Sequence, residues 1–553
     1  MAYRSRATSG QRGEGGESGG GPAAAGRPWD TGTTPPPPPW STDFAQPPGF
    51  AQAAHGGSPR QDGKRLRRAV PRAAHAALPD HADRPSVVEA VRESNVGRLE
   101  HLVPIRIGRM AASPFAFLRG TAALMAADLA HTPVTGITAQ LCGDAHAGNF
   151  GLYGDARDRL TIDINDFDET VPGPWEWDLK RLAASHVLAG RQAGAAEDVC
   201  REAAFHAVGA YRRTMRALAG MSAADAWNAI PDEELVSYTD AHDLRGTLRR
   251  VVDKARRNTS ARFAARSSER QPDGRWRFVP APPVLENMDD ELVATVVEAL
   301  GEYAGTVAPD RRPLLTRYTV HDVAFRVVGT GSVGLRSYVV MLRDHQDEAL
   351  VLQVKEARPS VLVPHLERIG HPVEPAGHEG RRVVLGQKRM QVVSDILLGW
   401  TTVDGRHFQV RQFRNRKGSI DPVELAPDEL DDYARMTGAL LARAHAHTAD
   451  PRLLAGYCGK NEELDEAVAA FAVAYADRTE RDHAELLAAV RSGRLAAEGG
   501  VTEAEAAAGA AEPEAATSGG EAFGGATEAV RSGTVDSGAA GERSGGGGAT
   551  DDR

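Results

Sequence analysis

A mixed α+β fold, mainly helical with a smaller antiparallel sheet late in the chain, is predicted by three observations. Apolar residues recur at helical spacing through residues 87–129 and again from 174 to about 305. β-Branched runs flank a glycine-rich turn over 318–357, the pattern of antiparallel strands. Helical periodicity then returns from about 428 to 490.

The two ends differ from this middle. Residues 1–63 are Gly/Ser/Ala stretches and five consecutive prolines, Pro35 to Pro39, with too few large apolar side chains to offset the entropy of ordering. From 496 to 553, Gly (14) and Ala (16) fill 30 of 58 positions and Phe523 is the only aromatic. Such a composition builds no core, and both segments are expected to be disordered. The proline block is suited to docking a partner as a polyproline helix, and equally reads as a solvated linker. Between the tails the expected organisation is a mainly helical part over 64–310, a β-rich part over 311–425 and C-terminal helices over 426–495 that pack on the core.

Composition excludes several function classes. Lys and Arg number 65 against 75 Asp and Glu, a formal net charge of −10 that argues against nucleic-acid binding, which needs a cation surplus. No run of about 18 apolar residues supports a membrane span, and the first residues carry no apolar signal core. Cys142, Cys200 and Cys458 are too few and too scattered for a disulfide framework or a cysteine-rich zinc site. A protein of the reducing cytoplasm is expected, without membrane or nucleic-acid partners.

Taken in order, the stretch 87–102 reads as a helix, and Pro114 opens another through PFAFLRGTAALMAADLAH. The segment 137–170 alternates like a strand, turns through small residues and returns as LTIDI, which reads as a hairpin with polar turns. PWEWDLKRLAASHVLAG (174–190) starts on proline and continues as an amphipathic helix. Strands are expected in 318–357 and 408–413, a short helix at 383–391, and two helices in the last ordered part.

Four constellations carry chemistry. In Gly143-Asp144-Ala145-His146-Ala147-Gly148-Asn149-Phe150 a carboxylate is followed five residues later by a carboxamide, as in a kinase catalytic loop, where the acid orients the attacking hydroxyl and the amide oxygen reaches magnesium. A polar loop with an Asx turn and a structural histidine is the plainer alternative. In Asp163-Ile164-Asn165-Asp166-Phe167-Asp168-Glu169 four acids follow a strand, oxygen donors of the kind a hard cation takes; a capped turn with solvated acids is the alternative. Gly329-Thr330-Gly331-Ser332-Val333-Gly334 lies between strands, so Gly329, Gly331, Ser332 and Gly334 suit a phosphate-covering lid as well as an ordinary glycine-rich hairpin. The strand after Gly334 excludes a dinucleotide fold, which needs a helix there. Lys355, at the end of the apolar strand VLQVKEA, can project towards phosphates or snorkel to the surface. Its orienting acid is sought among Glu367, Glu374 and Glu379, with Glu379 the best placed.

Together these form a phosphoryl-transfer kit whose order is inverted, since 143–169 precede 329–355. Circular permutation accounts for that order where the core termini lie close together. Arg411, Arg414 and Lys417 suit an anionic substrate and equally a solvated strand face. His445 and His447, two residues apart, do not share a helix face as metal ligands would.

The strings PFAFLRG, LCGDAHAGNFG, DINDFDET, PWEWDLKRLAAS, VVGTGSVG, LQVKEA, SDILLGW and LARAHA, with RAVPRAAH at 68–75, resemble a bacterial family known as domain of unknown function 2252, over about residues 64–480. That family in turn resembles aminoglycoside and choline kinases of the protein-kinase-like superfamily. The resemblance implies a two-lobe kinase-like fold in permuted order, with a helical catalytic lobe and a small nucleotide-binding lobe. It implies ATP and Mg2+ as cofactors and the hydroxyl of a small molecule as acceptor. It further implies Asp144 as catalytic base, Asn149 and Asp166 as magnesium ligands with Asp168 in support, Asp178 as a buried brace, and His146 as a hydrogen-bonding holder of the catalytic loop. A non-catalytic nucleotide-binding scaffold on the same fold, and a metal-dependent phosphohydrolase using Asp144, His146, Asp163 and Asp166, are the rival readings.

Overall fold

The structure, a computed structural model, describes residues 58–155, 159–229, 241–327, 329 and 331–498. The proline block, nearly all of the expected tail and Thr330 of the glycine loop lie outside the described residues. The first helix, α1 (Pro59–Ala69), begins inside the segment expected to be disordered. Its Gly63 meets Leu453 and Gly456 of the helix Pro451–Cys458 so closely that a Cβ there would lie 2.0 Å from the Leu453 oxygen. Glycine-mediated helix contact, invisible in local composition, orders this stretch.

Four short helices follow: α2 (Val87–Asn95), α3 (Val103–Ala111), α4 (Pro114–Gly120) and α5 (Ala122–Leu129). Ser86 and Glu89 form a capping box on α2. Ser113 caps α4, with Pro114 in its first turn.

The segment 137–174 does not form the expected single hairpin. Strand β1 (Thr138–Leu141) pairs with β4 (Val171–Pro174), while β2 (Phe150–Gly154) pairs with β3 (Leu160–Ile164). All these pairs are antiparallel, and the two acid-bearing loops, 142–149 and 165–170, are the crossings between the two small sheets. Non-local pairing of β1 with β4 thus lays one loop beside the other.

Helix α6 (Trp175–Gln192) also departs from expectation. Its sequence looks amphipathic, yet residues 175–190 are all buried, including Glu176, Asp178, Lys180, Arg181, Ser185 and His186. It runs through the main core, flanked by α7 (Glu197–Leu218) and the helices Pro427–Ala446 and Glu463–Arg491. Glu176, Asp178, Arg181, Ser185 and His186 meet internal hydrogen-bond partners in place of water, and the Lys180 ammonium lies over the Phe471 ring.

A two-stranded ribbon, β5 (Ser268–Arg270) with β6 (Trp276–Phe278), follows later in the chain. The second part is a six-stranded antiparallel sheet in the order β11-β12-β10-β9-β8-β7, comprising β7 (Leu285–Asn287), β8 (Thr319–Arg326), β9 (Ser337–Arg343), β10 (Ala349–Glu356), β11 (Gly399–Val403) and β12 (Arg406–Gln412). Strand β7 and the helix Asp290–Thr306, both before residue 311, pack with this sheet. One face of β10, Leu352 and Val354, enters an apolar cluster with Val340, Phe408 and Val410. The opposite face carries Gln353 and Lys355, as the alternation VLQVKE requires. Among the described residues no helix is long and apolar enough to cross a membrane. The three cysteines are free and buried.

The main core makes stability depend on pH. His75, on the Tyr457 hydroxyl, and His186, on the Thr437 hydroxyl, are fully buried. Burial holds both imidazoles down to about 3. Unfolded histidine binds its proton near pH 6.5, so these groups favour the folded state above that value. Their contribution is lost progressively as pH falls from about 6.5 to 3, on the order of 1 kcal/mol per pH unit for each histidine. Urea unfolding at pH 5 and pH 7 is expected to show the lower midpoint at pH 5, with a smaller difference in His186→Gln.

Candidate functional site

The loop after β1 is held from behind by α6. The Asp178 carboxylate, 1% exposed, accepts the backbone N–H groups of Cys142 at 2.7 Å and Gly143 at 3.0 Å. His445 Nε2 stands 3.3 Å from the same carboxylate. Gly143 has φ +83° and passes so close to the second loop that a Cβ would lie 2.2 Å from the Glu169 oxygen. Glycine is required here by both backbone conformation and contact.

One turn further along α6, Arg181 donates from Nε to Asp144 Oδ1 at 2.6 Å and from a terminal nitrogen to the Leu118 oxygen at 2.8 Å. This fixes Oδ1 of Asp144, and Oδ2 lies outside these bonds. Burial pushes the Asp144 carboxyl above its ordinary value, and Arg181 only partly opposes that. His146 Nε2 lies 3.8 Å from Asp144 Oδ2, too far for a hydrogen bond. The ring packs edge-on against Phe115 and leaves Nδ1 buried without a partner. Burial, then Arg119 and Arg181, hold its imidazole well below the usual range.

Asn149 ties the two loops together. Its Nδ2 donates to the backbone oxygens of Asp144 at 3.2 Å and Asp166 at 3.0 Å, and its Oδ1 accepts the Asp166 N–H at 2.8 Å. The carboxamide oxygen therefore keeps one lone pair beyond this clamp.

The sheet supplies the opposite wall. Lys355 Nζ is 2.6 Å from Asp168 Oδ2 and 3.4 Å from Asp166 Oδ1. Its cross-strand neighbour Gln409 donates to Asp168 Oδ1 at 3.1 Å. Burial would lower the Lys355 ammonium, but Asp166 and Asp168 outweigh it and the net shift is upward. Asp166 experiences the converse. Burial would raise it, yet Lys355, Arg411 and Lys417 hold it below the usual carboxylate range, while 46% of its side chain remains exposed. Asp168, by contrast, is raised by burial and by the neighbouring Asp166 charge.

The glycine loop closes the top. Ser332 Oγ donates to Asp168 Oδ2 at 3.3 Å. Arg98 donates to the Val333 oxygen at 2.6 Å, the Leu99 N–H to the Gly334 oxygen at 2.8 Å, and Arg109 to the Gly329 oxygen. Gly334 has φ +87°, and a Cβ at Gly331 would have only the Arg119 oxygen nearby, at 3.7 Å. The loop thus lies over the acids and is anchored to the segment 98–109.

Asp144, His146, Asn149, Asp166, Asp168, Ser332 and Lys355 therefore converge from elements far apart in sequence. Other candidates fall elsewhere. Glu379 pairs with Arg382, three residues on, and not with Lys355; the acids on Lys355 are Asp166 and Asp168. Asp163 is fully buried and paired with Arg443 at 2.7 Å, which makes it part of the framework and removes it from the surface a hydrolase would use. Arg411 and Lys417 act on Asp166, but Arg414 sits over the rings of Phe263 and Phe413. His447 bridges the Arg389 and Trp227 oxygens.

Three participants have no sequence motif. Arg181 was hidden in an apparently solvated helix face and Gln409 in a strand alternation. Arg382 spans the oxygens of Asp168, Thr170 and Arg358 at 2.6–2.8 Å and so fixes the backbone of the second loop.

A family model described as "Uncharacterized protein conserved in bacteria (DUF2252)" matches residues 98–489, which span both loops, the glycine loop and Lys355. No curated protein and no solved structure matches the chain.

Proposed function

Because the chain belongs to the uncharacterized bacterial family DUF2252, whose description states no activity, we propose a function from the site itself: Mg- and ATP-dependent transfer of a phosphoryl group to a hydroxyl of a small molecule, on a kinase-like fold with its two lobes in permuted order. The observation that carries this reading is the meeting of Lys355 and Ser332, from the sheet, with Asp168, beside the loop that bears Asp144 and Asn149. A lysine, a glycine loop, a catalytic acid and an Asn/Asp pair at one point are the parts that phosphoryl transfer uses.

The donor set fits magnesium, since it consists of oxygens only. Asp166, half exposed, and the remaining lone pair of Asn149 would hold the ion, which when bound neutralises charge on the phosphates. Asp168 is occupied by Lys355, Gln409 and Ser332, and its role in this reading is to hold the lysine poised in the cleft. Lys355 and the backbone of Gly329–Gly334 bind the nucleotide phosphates. Asp144 Oδ2 accepts the hydrogen bond of the acceptor hydroxyl and takes its proton as the new P–O bond forms, with the leaving oxygen retained on ADP. Arg181 fixes the carboxylate orientation, and His146, 3.8 Å from Asp144 Oδ2, fills the loop interior without exchanging a proton. A phosphohydrolase leaves the glycine loop and Lys355 without a task and loses Asp163 to the framework.

The test is incubation of the protein with γ-labelled ATP, Mg2+ and a protein-free bacterial metabolite extract. Label is expected in a new small molecule, dependent on Mg2+. Release of inorganic phosphate from simple monoesters without ATP would favour the hydrolase; nucleotide binding with no labelled product would favour the scaffold.

A further inference from the structure

Three ligand-type side chains converge at the junction of the segment before α2, the end of α5 and the helix Val363–Arg368. We propose that His81, Asp83 and His131 form a binding site for a divalent transition-metal cation of the zinc class, separate from the phosphoryl-transfer site.

The donor atoms are clustered, and the His81 Nδ1–Asp83 Oδ1 hydrogen bond stands where an ion would replace its proton. Asp83 Oδ1 is 2.8 Å from His81 Nδ1 and 3.4 Å from His131 Nε2. Two donors bound about 2.0 Å from one tetrahedral ion stand about 3.3 Å apart, between those two values. One candidate ligand atom from each residue lies within 4.8 Å of the other two. His131 Nε2 is moreover a buried nitrogen with no hydrogen-bond partner, which is costly unless something binds there.

The surroundings match those of a metal-bound imidazole. His81 Nε2 is 3.1 Å from Oδ1 of Asp128, a carboxylate with no exposed surface. That contact directs the Nδ1 lone pair at the site when Nε2 carries the proton, the carboxylate–histidine–metal relay common around zinc. Asp128 is in turn fixed by Arg84 at 2.7 Å and by Tyr475 at 3.0 Å. Two imidazoles and one carboxylate favour zinc or a neighbouring transition ion over magnesium or calcium.

Two features define what binding requires. The rings of His81 and His131 are stacked, with centroids 3.8 Å apart and planes 14° from parallel, so one ion cannot lie in both ring planes. His131, whose side chain is 28% exposed, turns to bring Nε2 onto the ion. Arg368 also contacts the second oxygen of Asp83, leaving Oδ1 as the metal-facing atom. The ion would tie the segment 80–84 to α5 and, through Arg84, to Asp482 of the helix Glu463–Arg491.

The test is isothermal titration of the full chain with Zn2+, beside His131→Ala and Asp83→Asn, with circular dichroism to verify that the variants fold. One equivalent is expected in the parent protein, weakened tenfold or more in each variant, and Co2+ should give the visible absorption of a tetrahedral site. Absence of saturable binding would overturn the site and leave His81 as a hydrogen-bonding bridge between Asp83 and Asp128. Binding of unchanged affinity in both folded variants would equally overturn it, because the ion would then reside elsewhere.

Discussion

Asp144→Asn is expected to cut transfer of labelled phosphate by about 10²- to 10⁴-fold, the range for removing a positioned general base. The change is nearly isosteric, so nucleotide affinity should change little. Asp144 Oδ1 is committed to Arg181, and its backbone oxygen to Asn149, so the loop keeps its shape when one oxygen becomes an amide nitrogen. The second oxygen is the proposed proton acceptor, and a neutral amide in its place cannot take that proton. The raised pKa of this carboxyl, caused by burial and only partly offset by Arg181, brings its basicity closer to the working pH. A fall in turnover with unchanged nucleotide affinity separates a catalytic role from a structural one. Full activity in this variant, measured in the labelling assay, would remove Asp144 from the chemistry.

The second large effect is on stability. Asp163→Ala should destabilise the fold by about 3–5 kcal/mol, because it breaks a buried ion pair and removes the acceptor of two backbone N–H groups. The two groups are 0% and 1% exposed and 2.7 Å apart. Asp163 also accepts the Ile164 and Val392 N–H groups, so truncation uncouples β3 from the chain after the helix Glu379–Met390 as well. Such a loss is a large share of the roughly 5–15 kcal/mol that domains possess. Replacing both partners by apolar residues, Asp163→Leu with Arg443→Met, should recover part of it. Urea unfolding of the single and double variants checks both statements. A mild loss in Asp163→Ala would contradict the first.

What the sequence discloses depends on how local each signal is. The loops of Asp144–Asn149 and Asp166–Asp168 are legible because their acids and amide recur within a few residues, at fixed offsets. Lys355 is legible because it breaks an otherwise apolar strand, and the strand's period of two sends it to the polar face. The helix 174–190 misleads for the converse reason: polar residues at helical spacing signify water on most helices. Here they are the internal partners of the β1 loop, as Asp178 and Arg181 are. The pairing of β1 with β4 was equally hidden, since a hairpin is the nearest explanation for two strands and a turn, while the actual partner lies 30 residues away at the Leu141–Val171 end. Glu379 looked like the partner of Lys355 from its position before a helix. In three dimensions the lysine finds acids on the loop itself, and Glu379 serves Arg382.

The central claim is that one site binds nucleotide and magnesium together. Thermal unfolding of the full chain with ATP and Mg2+, beside Asp166→Asn, tests it most directly. At about 100 times its dissociation constant a ligand adds about 2.7 kcal/mol to the folded state, a readily visible shift. The account predicts a Mg2+-dependent rise in melting temperature for the parent protein that is lost or strongly reduced in Asp166→Asn. A folded parent protein whose melting temperature no nucleotide alters, with or without Mg2+, would contradict it.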